Sequence, residues 1–154
     1  MRAPYAALAL ALLIAGCAPS FKPDHSHDDV REQVVETALA QLGRPYRYGG
    51  TDPDSGFDCS GLVWYSYAQA GMKVPRSTRE LMSAGTEIRL ADAAPGDLLF
   101  YRFSDKEPSN LHVVLYVGDG RAVHAPTTTH DVRLAEIGKP EWQRNFVTAV
   151  TLLR

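Results

Sequence analysis

The stretch that decides the fold is GFDCSGLVWYSYAQAG, residues 56–71. Its apolar side chains recur at helical spacing, which predicts a helix that begins near Cys59, with Asp58 as its N-cap, and ends at Gly71. A thiol in the first turn of a helix meets unpaired backbone N–H groups and the positive end of the helix dipole, and both favour the thiolate. The stretch therefore predicts a helix with a candidate nucleophile at its start. The residues expected on the inner face are Leu62, Val63, Tyr67 and Ala70.

The N-terminal residues MRAPYAALALALLIAGCAPS have the pattern of an export signal. Arg2 supplies a positive start, and the apolar run that follows is too short to span a bilayer, which needs about 20 residues. IAGC resembles the bacterial lipobox, in which the chain is cut before the cysteine and that cysteine is acylated. We expect lipidation at Cys17; the alternative is a plain signal peptide with an incidental cysteine.

This reading divides the chain into a signal peptide over 1–16, a lipidated N-terminus and tether over 17–27, and one domain over 28–154. Ala18, where an aspartate would favour the inner membrane, indicates a periplasmic protein on the outer membrane, by analogy with sorting in Gram-negative bacteria. With one cysteine assigned to lipid, Cys59 has no partner for an intramolecular disulfide. It is either a small buried hydrophobe or a thiol kept for its reactivity.

Two further segments predict helices. DDVREQVVETALAQLGRPY is typical of an amphipathic first helix, with Asp28 or Asp29 as N-cap and Gly43 at the C-terminal cap. PRSTRELMSAG contains a capping box, Ser77 with Glu80, and predicts a short helix that ends near Gly85. The residues expected on the inner face of the first helix are Val30, Val34, Ala38 and Leu42.

The second half of the domain changes to strand patterns. The strand candidates are GDLLFYRF, LHVVLYVG, RAVHAP and FVTAVTLL. Helices come first and strands later, an order that favours an α+β fold with helices packed on an antiparallel sheet. The net charge of −2 comes with no basic patch for nucleic acid.

Two histidines lie on the predicted hairpin LHVVLYVGDGRAVHA. If residues 118–120 form a three-residue loop, Val114 faces His124, and His112 and His124 become diagonal neighbours on one face. A two-residue loop would place them on opposite faces. A nucleophile needs a base, and the base needs an orienting group, so Cys59 and these histidines supply the residue types for nucleophilic catalysis. The same three side chains are also possible zinc ligands.

PYRYGG, FDCSGLV, PRST, PGDLLFY, HVVLYVG and AVHAP occur here in one order. Together they resemble the NlpC-type cell-wall cysteine peptidase family, from about Val30 to the C-terminus. The resemblance implies a compact papain-like fold and amide hydrolysis in peptidoglycan stem peptides, commonly between D-glutamate and the diamino acid. The implied mechanism uses a Cys thiolate and a thioester and needs no metal or cofactor. A monomer is expected, with membrane contact through Cys17.

The resemblance also implies residue roles. Cys59 matches the nucleophile, His112 the general base and acid, and His124 the residue that orients His112. Tyr46 matches a tyrosine near the oxyanion position, with Tyr48 as the rival assignment.

Further matches line the substrate cleft. Asp58 and Ser60 flank the nucleophile, and 76–78 match RST beside the active site, which we interpret first as structural. The insertion-like RFSDKEPSN is expected to alter one wall of the cleft. The alternatives that remain are a catalytically silent wall-binding lipoprotein and a zinc-binding module.

Overall fold

A computed structural model of the chain describes residues 26–104 and 110–153. The signal segment 1–16, Cys17, the tether up to residue 25 and most of the insertion RFSDKEPSN lie outside the described residues. No helix in the described part is long and apolar enough to cross a bilayer. The helices are α1 (His27–Leu39), α2 (Cys59–Gln69), α3 (Thr78–Ala84) and α4 (Pro140–Asn145). The strands are β1 (Thr51–Asp52), β2 (Gly56–Phe57), β3 (Thr86–Ile88), β4 (Leu98–Tyr101), β5 (His112–Gly118), β6 (Arg121–His124), β7 (Arg133–Glu136) and β8 (Phe146–Thr151).

The fold is α+β, as predicted. Six strands form one antiparallel sheet in the order β3-β8-β4-β5-β6-β7, and β1 and β2 form a separate short hairpin. Helices α1 and α2 pack against each other and cover one face of the sheet. The four strand candidates are confirmed as β4, β5, β6 and β8, whereas β3, β7 and α4 are elements that the sequence patterns did not predict.

Helix α2 matches its prediction closely. Asp58 is the N-cap, and its carboxylate accepts a hydrogen bond from the Gly61 N–H at 2.6 Å. Gly71 follows the helix with φ of +77°, the left-handed conformation that commonly ends a helix. The Tyr67 hydroxyl donates to the Gly96 carbonyl at 2.6 Å, which ties the helix to the loop before β4. All four inner-face residues are buried: Leu62, Val63, Tyr67 and Ala70.

Helix α1 differs from its prediction at both ends. Its N-cap is Ser26 rather than an aspartate, because Ser26 and Asp29 form a reciprocal capping box. The helix ends at Leu39, and Gly43 lies beyond it with its N–H bound to the Val132 carbonyl. Leu42 is therefore outside the helix and 44% exposed, so its placement on the inner face was wrong. The inner-face predictions that hold are Val30, Val34 and Ala38.

The opposite face of the sheet carries a second, smaller apolar layer. Leu99, Tyr101 and Val114 point to this face and pack with Trp142 from α4. The alternating residues Phe100 and Val113 point instead to the helices. Side chains along β4 and β5 therefore alternate between the two faces of the sheet, and each face packs against its own set of apolar residues.

The β5–β6 hairpin reaches the expected register by a different route. Asp119 and Gly120 both have positive φ and form a two-residue turn of the type I′ kind, rather than a three-residue loop. A bulge at Val117 adds one residue to β5, so Leu115 still pairs with Val123. The bulge compensates for the shorter turn, and His112 and His124 remain on one face.

Candidate active site

A cleft of about 1070 Å³ brings together the residues singled out in the sequence. Cys59, Asp58 and Ser60 line it from the start of α2, and His112 and His124 line it from the ends of β5 and β6. Phe103, Ser104 and Asn110 also line it, and they belong to the insertion-like RFSDKEPSN that was expected at one wall. The sequence patterns did not predict the other lining residues, which are Arg79, Thr127, Thr128, Glu141 and Trp142.

Cys59 is a free, partly buried thiol at the first position of α2. The backbone N–H groups of a first helical turn have no intrahelical acceptor and carry the positive end of the dipole. The Sγ atom lies 3.6 Å from the Oγ1 of Thr78, the first residue of α3. A thiol held here faces both positive potential and a hydroxyl group.

The two histidines are in direct contact. His112 is the first residue of β5 and His124 the last of β6, so both lie at the same end of the hairpin. Nε2 of His112 is 3.0 Å from Nδ1 of His124, and the ring centroids are 5.2 Å apart. Because Nε2 is engaged by the second ring, Nδ1 is the nitrogen of His112 left for another partner.

Burial keeps both imidazoles neutral. Loss of solvent, and then the neighbouring His124, lower the pKa of His112 to about 3. Burial, and then the Arg133 guanidinium, lower the pKa of His124 to about 4, while Asp131 opposes this shift. At pH 7 the His112 ring is therefore neutral, and one of its two ring nitrogens carries no proton.

Two aromatic residues, Phe103 and Trp142, pack against the histidine pair. The Trp142 ring stands edge-on to His124 with centroids 5.2 Å apart, and Phe103 lies 6.2 Å from the His112 ring. Trp142 also contacts Phe103 at 5.0 Å. Pro140, at the first position of α4, is a start signal in the sequence, but nothing local in KPEWQRN indicates that its tryptophan reaches a histidine on another strand.

The two candidate tyrosines differ in their surroundings. Tyr46 is half-buried, and burial first, then Cys59 and Asp58, raise the pKa of its hydroxyl. Tyr48 also lines the cleft, but it is 89% exposed. Tyr46 is therefore the tyrosine whose electrostatic environment includes the thiol.

Asp58, Ser60 and Arg76 form one polar cluster beside the thiol. Arg76 donates to the Asp58 carboxylate at 2.8 Å and to the Ser60 hydroxyl at 2.8 Å. The Gly49 N–H donates to the same carboxylate at 2.8 Å. The cluster ties the loop before β1, the start of α2 and the start of α3 to one another, which agrees with a structural role for Arg76.

Within the described ranges, no group of three or more His, Cys, Asp or Glu side chains is arranged to hold a metal ion. The zinc-binding alternative therefore gains no support from that part of the chain. What the arrangement offers is a thiol at a helix start, a neutral imidazole with one ring nitrogen unoccupied, and a second imidazole that fixes the first.

Comparison with known proteins identifies one family and several relatives that are named as endopeptidases. The model of the NlpC/P60 family matches residues 43–151. The chain is 38% identical over 84% of its length to the probable endopeptidase YafL and 37% identical over 75% to the murein DD-endopeptidase MepH, both of Escherichia coli K12. It is 33% identical over 88% of its length to the bifunctional muramidase/DL-endopeptidase CwlT of Bacillus subtilis. It spans 53%, 44% and 40% of these three proteins, about half their length.

Solved structures share the fold. A Bacillus cereus NlpC/P60 family protein superposes with a TM-score of 0.72 at 28% identity, over 80% of this chain and 40% of its own. RipD of Mycobacterium tuberculosis, described as a non-catalytic NlpC/p60 domain protein adapted to peptidoglycan binding, has a TM-score of 0.66 at 27% identity, over 80% of this chain and 98% of its own.

Proposed function

Because the chain belongs to the NlpC/P60 family, we propose that it is a cysteine peptidase that hydrolyses an amide bond in the stem peptides of peptidoglycan. The observation that carries the proposal is the contact of His112 with His124, 3.0 Å from nitrogen to nitrogen, in the cleft that also holds Cys59. Relatives named as murein endopeptidases support the substrate class.

The first half of the proposed reaction acylates Cys59. Nδ1 of His112 takes the thiol proton, and the thiolate attacks the substrate carbonyl carbon. The backbone N–H of Cys59 and the Tyr46 hydroxyl donate to the oxyanion. His112 then gives its proton to the leaving amine, the amide C–N bond breaks, and a thioester remains.

The second half releases the acyl group. His112 takes a proton from water as the hydroxide attacks the thioester carbonyl, and the C–S bond breaks to return the thiolate. His124 accepts a hydrogen bond from Nε2–H of His112, which keeps Nδ1 as the accepting nitrogen in both halves. No metal or cofactor takes part in this scheme.

The bond that we propose is the one between D-glutamate and the diamino acid. Relatives carry names for DD and for DL bonds, so their names do not choose between them. The cleft supports a substrate with charges of both signs, because it presents the Arg79 guanidinium and the Glu141 carboxylate. A stem peptide carries both carboxylates and an ammonium group.

We further propose that the protein acts as a monomer close to a membrane, held by acyl chains on Cys17 and more specifically on the periplasmic side of the outer membrane. One acyl chain holds a protein only weakly, whereas two or more give stable anchoring. Residues 18–25, which precede the Ser26 cap of α1, would extend at most about 29 Å, at ~3.3–3.6 Å per residue. The domain would therefore reach only wall material close to its membrane.

Digestion of purified peptidoglycan tests the proposal. The chain carrying Cys17→Ser is compared with the same chain carrying Cys59→Ala as well, and soluble products are read by mass spectrometry. New fragments from the first protein alone are expected, and their masses identify the bond. The second candidate, a wall-binding protein without turnover, is favoured by the likeness to RipD. It predicts that both proteins co-sediment with the wall and that neither releases fragments.

A further inference from the structure

Thr78 presents its hydroxyl to the thiol that we propose as the nucleophile. Its Oγ1 lies 3.6 Å from Cys59 Sγ, a hydrogen-bonding distance for sulfur. Thr78 is half-buried and lines the cleft. The family resemblance places the segment 76–78 beside the active site but assigns no role to the Thr78 hydroxyl.

Hydrogen bonds of the two preceding residues, Arg76 and Ser77, fix the position of Thr78 relative to Cys59. Immediately before Thr78, Ser77 caps α3 by accepting from the Glu80 N–H. One residue earlier, Arg76 binds Asp58 and Ser60, which flank the thiol. The first turns of α2 and α3 are therefore fixed against each other, and the distance from Sγ to Oγ1 is set by the fold rather than by a mobile surface side chain.

The fold itself does not require this hydroxyl. Ser77 already provides the helix cap, and a β-branched residue lowers helix propensity slightly. In the part of the chain that the structure describes, the Thr78 hydroxyl has Cys59 Sγ as its one hydrogen-bonding partner. Valine has the same shape without the hydroxyl and would fill the same space.

We propose that Thr78 is a further catalytic residue, whose hydroxyl donates a hydrogen bond to the Cys59 thiolate and so favours the charged form. The inference rests on the proposed role of Cys59 as nucleophile. No bond of Thr78 breaks: the thiol proton goes to Nδ1 of His112, and Thr78 keeps its own proton. Hydrogen bonds to charged groups are stronger than neutral ones, so the interaction grows when the thiolate forms.

Other charged or titratable groups line the same cleft, and the test must leave them in place. They come from the loop before β1, the starts of α2 and α3, the β5–β6 hairpin and α4. They are Tyr46, Tyr48, Asp58, Arg76, Arg79, His112, His124 and Glu141. Replacing Thr78 alone changes none of these side chains.

The test is the pH dependence of alkylation by iodoacetamide, which needs no substrate. In the chain carrying Cys17→Ser, Cys59 is the one remaining cysteine. Thr78→Val is expected to raise the midpoint of the pH–rate profile by about one pH unit. Because a thiolate of higher pKa is also more nucleophilic, the net slowing below the midpoint is only about three-fold. Thr78→Ser should restore the original midpoint.

Two further variants keep the result interpretable. Ser83→Ala removes an exposed hydroxyl from the same helix and should leave the midpoint unchanged. Thr78→Ala replaces Thr78→Val if the valine variant does not fold, as judged by circular dichroism. A folded variant without the hydroxyl that keeps the original midpoint overturns the inference. A shifted midpoint in a protein that releases no wall fragments supports the role of Thr78 and counts against the proposed substrate.

Discussion

His112 and His124 are joined ring to ring, with Nε2 of the first 3.0 Å from Nδ1 of the second. Both nitrogens belong to neutral rings at pH 7, so one of them carries the proton of this hydrogen bond. For Nδ1 of His112 to accept the thiol proton, Nε2 of the same ring must be the donor. The contact fits the tautomer that the proposed reaction needs, and in that reaction His124 is a positioning residue.

Replacement of His124 tests this assignment. His124→Leu removes the acceptor and leaves the Nε2–H of His112 unpaired, at a cost of about 1–3 kcal/mol. We expect kcat to fall roughly 5-fold to 150-fold, with little change in KM. His124→Gln offers a carbonyl acceptor and should recover part of the rate. Equal losses in both variants would show that the hydrogen bond is not what matters at this position.

Acid should destabilise the protein through the same pair. The pKa values of His112 and His124, about 3 and about 4, lie below the ordinary value of 6.5. The unfolded chain then binds more protons than the folded one below pH 6.5, so the free energy of unfolding falls as the pH falls from 6.5 towards 3. The stability that neutral rings contribute is fully present only above pH 6.5.

Thermal denaturation at pH 7, 6, 5 and 4 measures this loss. The chain carrying both His112→Leu and His124→Leu should lose less of its Tm between pH 7 and pH 4 than the unmodified chain. Carboxylates titrate in both proteins and cancel in the comparison. His27→Ala, at the exposed start of α1, should reproduce the unmodified profile. Parallel profiles for all three proteins would mean that the histidines are not the acid-sensitive groups.

Local patterns predicted the parts of the site that depend on neighbours in sequence. The Asp58 cap and the start of α2 at Cys59 follow from spacing within one turn. The pairing of His112 with His124 follows from strand alternation. The bulge at Val117, which sets the register of the hairpin, was not predicted by any sequence pattern. Ser26 was missed because Asp28 and Asp29 are equally good capping residues by type.

Contacts between distant segments could not be predicted in this way. Trp142 reaches His124 only because α4 packs on the face of the sheet away from α1 and α2. Thr78 meets Cys59 because Arg76 binds Asp58, an ion pair between residues 18 positions apart. Both contacts depend on tertiary packing, which side-chain periodicity does not encode.

Truncation of Trp142 should affect both stability and activity. Its ring is 7% exposed and stands edge-on to Tyr101, Phe103 and His124. Trp142→Ala is expected to lower the free energy of unfolding by about 3–5 kcal/mol and to reduce kcat, because His124 loses the ring behind it. Trp142→Phe should retain most of both, since a smaller ring still packs there.

Urea denaturation and turnover of a stem-peptide substrate measure the two effects of Trp142 separately. Gln143→Ala, an exposed change in the same helix, is the control and should alter neither. If Trp142→Ala were less stable but turned over normally at a temperature where it is folded, Trp142 would be a packing residue without influence on His124.

Gly61 allows the loop before β1 to approach the start of α2. A Cβ at this position would overlap the carbonyl oxygen of Gly50 and would lie 2.9 Å from Asp58 Oδ1. Gly61→Ala must therefore displace either the loop or the first turn that carries Cys59. We expect a loss of about 1–3 kcal/mol in the free energy of unfolding, and a fall in kcat because the polar cluster beside the thiol is disturbed.

Gly138→Ala is the matched control, because no atom lies within 4 Å of a Cβ built there. It should change the free energy of unfolding by no more than about 0.5 kcal/mol. Urea denaturation gives both values, and iodoacetamide labelling of Cys59 shows whether the thiol has moved. Gly61→Ala could instead match the control in stability and in labelling rate. The close approach of Gly50 to α2 would then not position the thiol, and the loop before β1 could shift without changing the site.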